Sequence, residues 1–313
     1  MHSDVTWPEG KRFAFTIFDD TDWTNLTRGP DVYAFLRDLG MRTTKSVWTI
    51  EGSEPAIIGG SSCEDPEYLA WVLELQAAGF EIALHNAARS SSSRADVQRG
   101  LAAFREMFGH EPKIHVNHHV NRDGLYWGAA RLTGANRLIY SLLNRGRGHG
   151  LDGGSDPSSA HFWGDLAKDR VTYVRNFVYA DINTLKQCPD MPYHDPARPY
   201  VNNWFASSHG TNCREFCKTI AEANQDRLEE EGGACIMYTH FGLRSFREDG
   251  RLHKRFVTLM ERLAAKGGWF VPVSELLDHL RARQTQPVIT PARRTMLERK
   301  WLFEKVTVNR GSS

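Results

Sequence analysis

The aromatic and β-branched run Phe13-Ala14-Phe15-Thr16-Ile17-Phe18 ends directly on the acid pair Asp19-Asp20. Such a run reads as a buried strand. Two adjacent carboxylates at its end cannot belong to the core, because an unpaired buried charge is costly. Their repulsion also raises the proton affinity of one of them unless a cation lies close. The plainer reading is a pair of loop-capping acids. What sets this pair apart is its company, since His85 and His240 also stand at the ends of predicted strands.

Strand and helix patterns alternate along most of the chain. Helices are expected over Pro30–Leu39, Pro66–Ala78 (stopped by Gly79), from one of several N-caps in Ser90–Ser93 through Phe108, and over Glu215–Glu231, Phe256–Ala265 and Ser274–Arg283, the last capped by Ser274. Strands are expected over Arg42–Ile50, Phe80–Leu84, Lys113–Val116, Val171–Phe177, Tyr200–Phe205, Cys235–Tyr238 and Trp269–Val273, and Gly146–Pro157 reads as a loop. This alternation predicts an α/β fold with parallel strands, best met by a single distorted (β/α) barrel of about seven strands. The barrel is expected to occupy residues 1–283, with 284–313 as a C-terminal extension. Within that extension, Ala292–Lys305 mixes Arg293, Arg294, Arg299 and Lys300 with Met296, Leu297, Trp301 and Phe303. The segment is read as a helix packing back on the barrel, with peripheral contact to a membrane or partner as the alternative.

Composition excludes several classes. A net charge of +1 gives no reason to expect nucleic acid as a partner. Five scattered cysteines do not form a disulfide framework. Cys213 and Cys217 are spaced to share a metal, but a lone pair at that spacing more simply packs. No apolar run is long enough for a signal peptide or a membrane span, so the expected setting is cytoplasmic.

In parallel α/β folds, reactive groups gather at the carboxyl ends of strands. Asp19, Asp20, His85, Asn117, His118, His119 and His240 all fall at such ends. Carboxylate and imidazole together suit a divalent ion: zinc first, with nickel, cobalt or manganese as alternatives. A bound ion of this kind brings the pKa of water near neutrality, so no serine or cysteine nucleophile is needed. A leftover carboxylate then serves as base and an imidazole as acid. Asp22 and Trp23 stand ready to shape a pocket, although Asp22 also fits a turn cap. Trp163 and Trp204 offer flat surfaces for a sugar ring, and Arg122 is placed to steady an oxyanion or to pair on the surface.

Three of these segments carry a family resemblance. Thr16-Ile17-Phe18-Asp19-Asp20, the Gly79–His85 strand and Ile236-Met237-Tyr238-Thr239-His240 resemble signatures of the polysaccharide deacetylases, carbohydrate esterase family 4, in the same order along the chain. The resemblance spans roughly residues 11–280 and implies a distorted (β/α) barrel whose members use a divalent metal to remove acyl groups from sugars. It implies Asp19 as general base, Asp20 and His85 as metal ligands and His240 as general acid. The family's further histidine ligand, four residues after the first, is Arg89 here. In place of the family's Arg-Pro signature stands His115-Val116-Asn117-His118-His119-Val120-Asn121-Arg122. From this supply His118, or else His119, is expected to complete the metal shell. Asn117, His119, Asn121, Arg122, Trp23 and Trp163 are the expected substrate contacts.

The expected activity is metal-dependent hydrolysis of an N-acetyl or N-formyl group on an amino sugar or sugar-containing precursor. Arg89 in a ligand position leaves a second expectation, a metal-independent hydrolase of a cyclic amide or ureide, as some relatives of the family are. A non-catalytic carbohydrate-binding relic is the third.

Overall fold

A computed structural model describes residues 5–284 and 288–307. Seven parallel strands close into a barrel in simple chain order: β1 (Ala14–Asp19), β2 (Thr44–Val47), β3 (Glu81–His85), β4 (Ile114–Val116), β5 (Tyr173–Tyr179), β6 (Asn203–His209) and β7 (Ala234–Thr239). Closure is made by β1 lying between β2 and β7, in register with β7 from Ala14–Ala234 to Asp19–Thr239. Parallel barrel strands are covered on both faces, so they are apolar along most of their length. Phe13, Phe15, Ile17 and Phe18 are accordingly buried. The expected single α/β barrel is the architecture observed.

Helices join the strands. They are α1 (Pro30–Asp38), α2 (Pro66–Ala77), α3 (Arg94–Phe108), α4 (Gly134–Leu143), α5 (Gly164–Arg170), α6 (Thr184–Gln187), α7 (Cys213–Thr219), α8 (Glu222–Glu230), α9 (Lys254–Ala265), α10 (Val273–Arg281) and α11 (Pro291–Thr307). Local chemistry sets several of their ends. Asp65 accepts from the backbone N–H groups of Glu67 and Tyr68 ahead of α2, and Ser93 and Asp96 cap each other's backbone at the start of α3. Gly109 ends α3 at φ 78°, a left-handed position that glycine adopts without a Cβ penalty.

Three expectations need correction. The helix expected over Glu215–Glu231 is two helices, because the side-chain amides of Asn224 and Gln225 take the carbonyls of Lys218, Thr219 and Ile220. The strand expected at Trp269–Val273 is a single bridge from Trp269 to Ala14, beside an edge of β1 already occupied by its two barrel neighbours. Ser274 does not cap α10, which starts one residue earlier behind Pro272; its N–H donates instead to Glu81. Helix α4 went unforeseen, since it offers a short apolar stripe inside a Gly- and Arg-rich stretch.

The C-terminal helix α11 packs on the barrel through Leu297, Trp301 and Leu302. Its Glu298 is fully buried and accepts from the Thr133 N–H at 3.0 Å, Asn136 at 3.0 Å and Arg198 at 3.2 Å. Trp301 sits 5.7 Å from the ring of Tyr140 on α4 and 5.5 Å from Phe177 on β5. Among the described residues, no helix is long and apolar enough to cross a membrane.

Removing one partner of a buried, hydrogen-bonded ion pair leaves the other charge uncompensated. Glu298→Ala should therefore lower the unfolding free energy by about 3 kcal/mol, read from the urea midpoint. An unchanged midpoint would mean that α11 does not stabilise the barrel through this carboxylate.

Candidate metal and catalytic site

At the carboxyl end of the barrel a cavity of about 210 Å³ is lined by Asp20, Asp22, His85, Asn117, His118, His119, Trp127, Arg175, Val178, Thr211, Tyr238 and His240. His85 closes β3, Asn117 to His119 follow β4, Arg175 lies on β5 and His240 follows β7. The expected convergence is met by Asp20, His85, Asn117, His118, His119 and His240, but not by Asp19.

Asp22 is the hub. One of its carboxylate oxygens lies 3.1 Å from His85 Nε2; the other lies 3.6 Å from both His118 Nε2 and His240 Nε2. Each ring is held from behind through Nδ1, which donates to the Val116 carbonyl from His85 (3.2 Å), to Asn121 Oδ1 from His118 (3.0 Å) and to the Thr211 carbonyl from His240 (2.9 Å). With Nδ1 carrying the proton, Nε2 of a neutral ring presents a lone pair to the cavity. Burial alone would raise the Asp22 carboxyl, but His118, His85 and His240 bring it well below the usual carboxylate range.

Asn86 joins two of these elements. It follows His85 in a left-handed conformation (φ 50°), which asparagine tolerates better than most residues. Its Oδ1 accepts from the His118 N–H at 2.6 Å, and its Nδ2 donates to Asp123 at 2.6 Å. The loop after β4 is thereby tied to the end of β3.

A divalent ion fits this donor set. An Asp22 oxygen and ring nitrogens of His85 and His118 lie mutually within 4.8 Å, and this is the only such cluster among the described residues. His118 Nε2 is buried with no hydrogen-bond partner. Two lone pairs and a carboxylate converging out of water repel one another unless a cation or added protons lie between them. Two imidazoles, each backed by a hydrogen bond through Nδ1, and one carboxylate are also the ligand type zinc takes with a position left open.

The acid pair is divided differently from expectation. Asp19, expected to be the base, does not line the cavity. It is fully buried behind it, accepting from the Phe241 N–H and the Tyr33 hydroxyl at 2.8 Å each, with Lys45 Nζ at 3.4 Å. Burial raises the Asp19 carboxyl and lowers the Lys45 ammonium, each toward its neutral form. Asp20, expected to be a metal ligand, is gripped by both Arg175 nitrogens at 2.8 and 2.6 Å and lies 4.0 Å from His85 Nε2. Burial works against its charge, yet Arg175 and then His85 leave it below the ordinary value. The group of side chains that could hold an ion contains Asp22 and not Asp20.

Other expected contacts separate as well. Asn117 and His119 line the cavity. Burial and the neighbouring His118 hold the His119 ring down to about 4, so it is neutral at pH 7. Asn121 does not line the cavity, being used up by His118 and the carbonyls of Ala88 and Ser90. Arg122 points away and pairs with Glu54 at 2.5 Å. Trp163 is buried under the loops, donating to the Asp123 carbonyl, and Trp23 is 39% exposed outside the cavity. Arg89 also leaves the site, bonding Glu51 and the Gly60 carbonyl. Arg175 and Trp127 were missed. A lone arginine inside the apolar run Tyr173–Tyr179 was the available signal for the first, since a buried cation demands an anion.

No family model and no curated protein matches the chain. Among solved structures it is similar to one described as a polysaccharide deacetylase from Mycobacterium smegmatis, with a TM-score of 0.51 and 14% identity over 91% of this chain and 96% of that one. A second, described as a polysaccharide deacetylase from Pseudomonas aeruginosa, gives a TM-score of 0.48 and 12% identity over 89% and 94% of the two chains. The resemblance to polysaccharide deacetylases therefore holds as a divergent match in fold.

Titration calorimetry with Zn2+ should find one strong site, lost in Asp22→Ala and His118→Ala but kept in Asp19→Asn. Asn121→Ala, which removes the oxygen behind His118, should weaken binding by about 10- to 100-fold. Equal affinity in the wild type and Asp22→Ala would dismiss this ligand set.

Proposed function

We propose that this protein is a metal-dependent hydrolase that removes an N-acyl group, acetyl or formyl, from an amino sugar or a sugar-containing precursor. The observation that carries the reading is Asp22 facing the Nε2 atoms of three histidines, each fixed through Nδ1, at the carboxyl end of a deacetylase-like barrel. Asp22, His85 and His118 would hold the ion. When bound there, it supplies Lewis acidity to the acyl carbonyl and lowers the pKa of water.

The remaining groups supply the proton transfers. Asp20, kept ionised and oriented by Arg175, takes the proton of the attacking water. A bond forms between that water's oxygen and the acyl carbon, and the carbon–nitrogen bond then breaks. His240, anchored by Nδ1 to the Thr211 carbonyl, enters this step as the imidazolium and gives its Nε2 proton to the departing amine, returning to the neutral ring. The products are a carboxylic acid and a free amine. Asp19 does not exchange protons with the substrate; it positions Phe241, and through it the segment carrying His240. A cavity of about 210 Å³ is smaller than pockets that enclose a whole drug-sized ligand, roughly 300–1,000 Å³. It suits the acyl amide, with the rest of the sugar held outside it.

Assayed on a panel of N-acetyl and N-formyl amino sugars, Asp20→Asn should lower kcat by about 10^2- to 10^4-fold while leaving Zn2+ binding in place, which separates a base from a ligand. His240→Ala should likewise reduce kcat. Chelation should abolish turnover and Zn2+ restore it. Full turnover by the stripped protein, or hydrolysis confined to cyclic amides and ureides, would overturn the metal-dependent reading.

A further inference from the structure

Helix α4 turns an apolar face outward. Leu138 is 63% exposed, Ile139 45%, Leu142 70% and Leu143 55%. At these spacings the four side chains form one stripe along the helix. The opposite side is already committed, with Asn136 donating to the buried Glu298 and Tyr140 packed against Trp301 of α11. The usual polarity of a surface helix is thus reversed. Clustered exposed aliphatic side chains of this kind mark a contact surface.

The charge around the stripe says what it contacts. Residues 134–150 contain Arg137, Arg145 and Arg147 and no aspartate or glutamate. All three arginines are exposed, and none makes an ion pair among the described residues. A two-fold contact between copies of this face would set those cations against one another, and residues 134–150 carry no carboxylate to offset Arg145 and Arg147; Asp152 and Asp156 lie only on the Arg137 side. An apolar stripe rimmed by unpaired arginines is instead complementary to an anionic lipid surface, with aliphatic side chains in the acyl boundary and guanidinium groups at the headgroup phosphates.

We propose that α4 and the turn after it dock this protein on anionic lipid bilayers. The connection that carries α4 runs from β4 to β5 and also supplies Asn117, His118, His119 and Trp127 to the cavity. Docking therefore engages the same connection that builds one wall of the site. The inference does not depend on the hydrolase reading, because lipid binding is measured without turnover.

The test is co-sedimentation of the full chain with vesicles of phosphatidylcholine alone and of phosphatidylcholine mixed with phosphatidylglycerol. Binding is expected to the mixed vesicles and not to the neutral ones, with release at high salt. Leu138→Ser with Leu142→Ser should weaken it by at least about tenfold. Arg145→Ala with Arg147→Ala should weaken it by about 30-fold, from the attraction of each basic residue to an anionic surface. All four positions are exposed, and unchanged melting curves would show that both variants fold. Absence of binding to the mixed vesicles at low salt, or wild-type binding by both double variants, would overturn the proposal. So would a lipid-indifferent dimer in sedimentation velocity that Leu142→Ser dissociates, since that would assign the face to a second copy.

Discussion

A carboxylate buried among three imidazoles is the constraint on which the site depends. Asp22 cannot lie in that position as a free ion at acceptable cost, so something must balance it. His85, His118 and His240 surround it, yet each gives its Nδ1 proton to an oxygen behind it and turns Nε2 inward. Either those inner nitrogens carry protons, or a cation lies among them. The barrel spends much of its loop structure on holding this arrangement: Asn121 behind His118, Val116 behind His85, Thr211 behind His240, and Asn86 linking two strand ends.

Two further buried ion pairs flank the hub, and they explain the split between Asp19 and Asp20. Adjacent residues along a strand point to opposite sides. Asp19, the last residue of β1, turns into the layer between barrel and helices, where Lys45 and Tyr33 meet it. Asp20 turns into the cavity and meets Arg175. Each acid therefore has a basic partner of its own, Lys45 for Asp19 and Arg175 for Asp20, and the two carboxyls need not share one. One pair orients the chain around Phe241; the other presents a fixed carboxylate to the substrate space.

The β4–β5 connection carries a second division of labour. Its first residues reach the cavity, while its helix α4 is clamped to α11 through Glu298 and Trp301. Chain beyond the last barrel element thus supports the loop that supplies His118. The outward face of α4, apolar and rimmed with arginine, is then left for a partner outside the fold.

Apolar strand-like runs with Asp or His at or just past their ends, and helical stripes between them, were enough to determine an α/β barrel with its chemistry at the carboxyl ends. They also placed His85, His118 and His240 in one site, because strand-end position is a local property of sequence. What they did not decide was which acid faces which way, since alternation past a strand end depends on how the loop leaves it. Asp22 was legible only as a third acid near a turn, and its role follows from three rings brought together from β3, β4 and β7. Arg122, Trp163 and Arg89 are polar or aromatic residues near the right strand ends, yet surface carboxylates and loop carbonyls claim them. Residue type and position along a strand are written in the chain; the partner that satisfies each buried charge is fixed only when distant segments meet, because that choice depends on distances of a few ångströms between them.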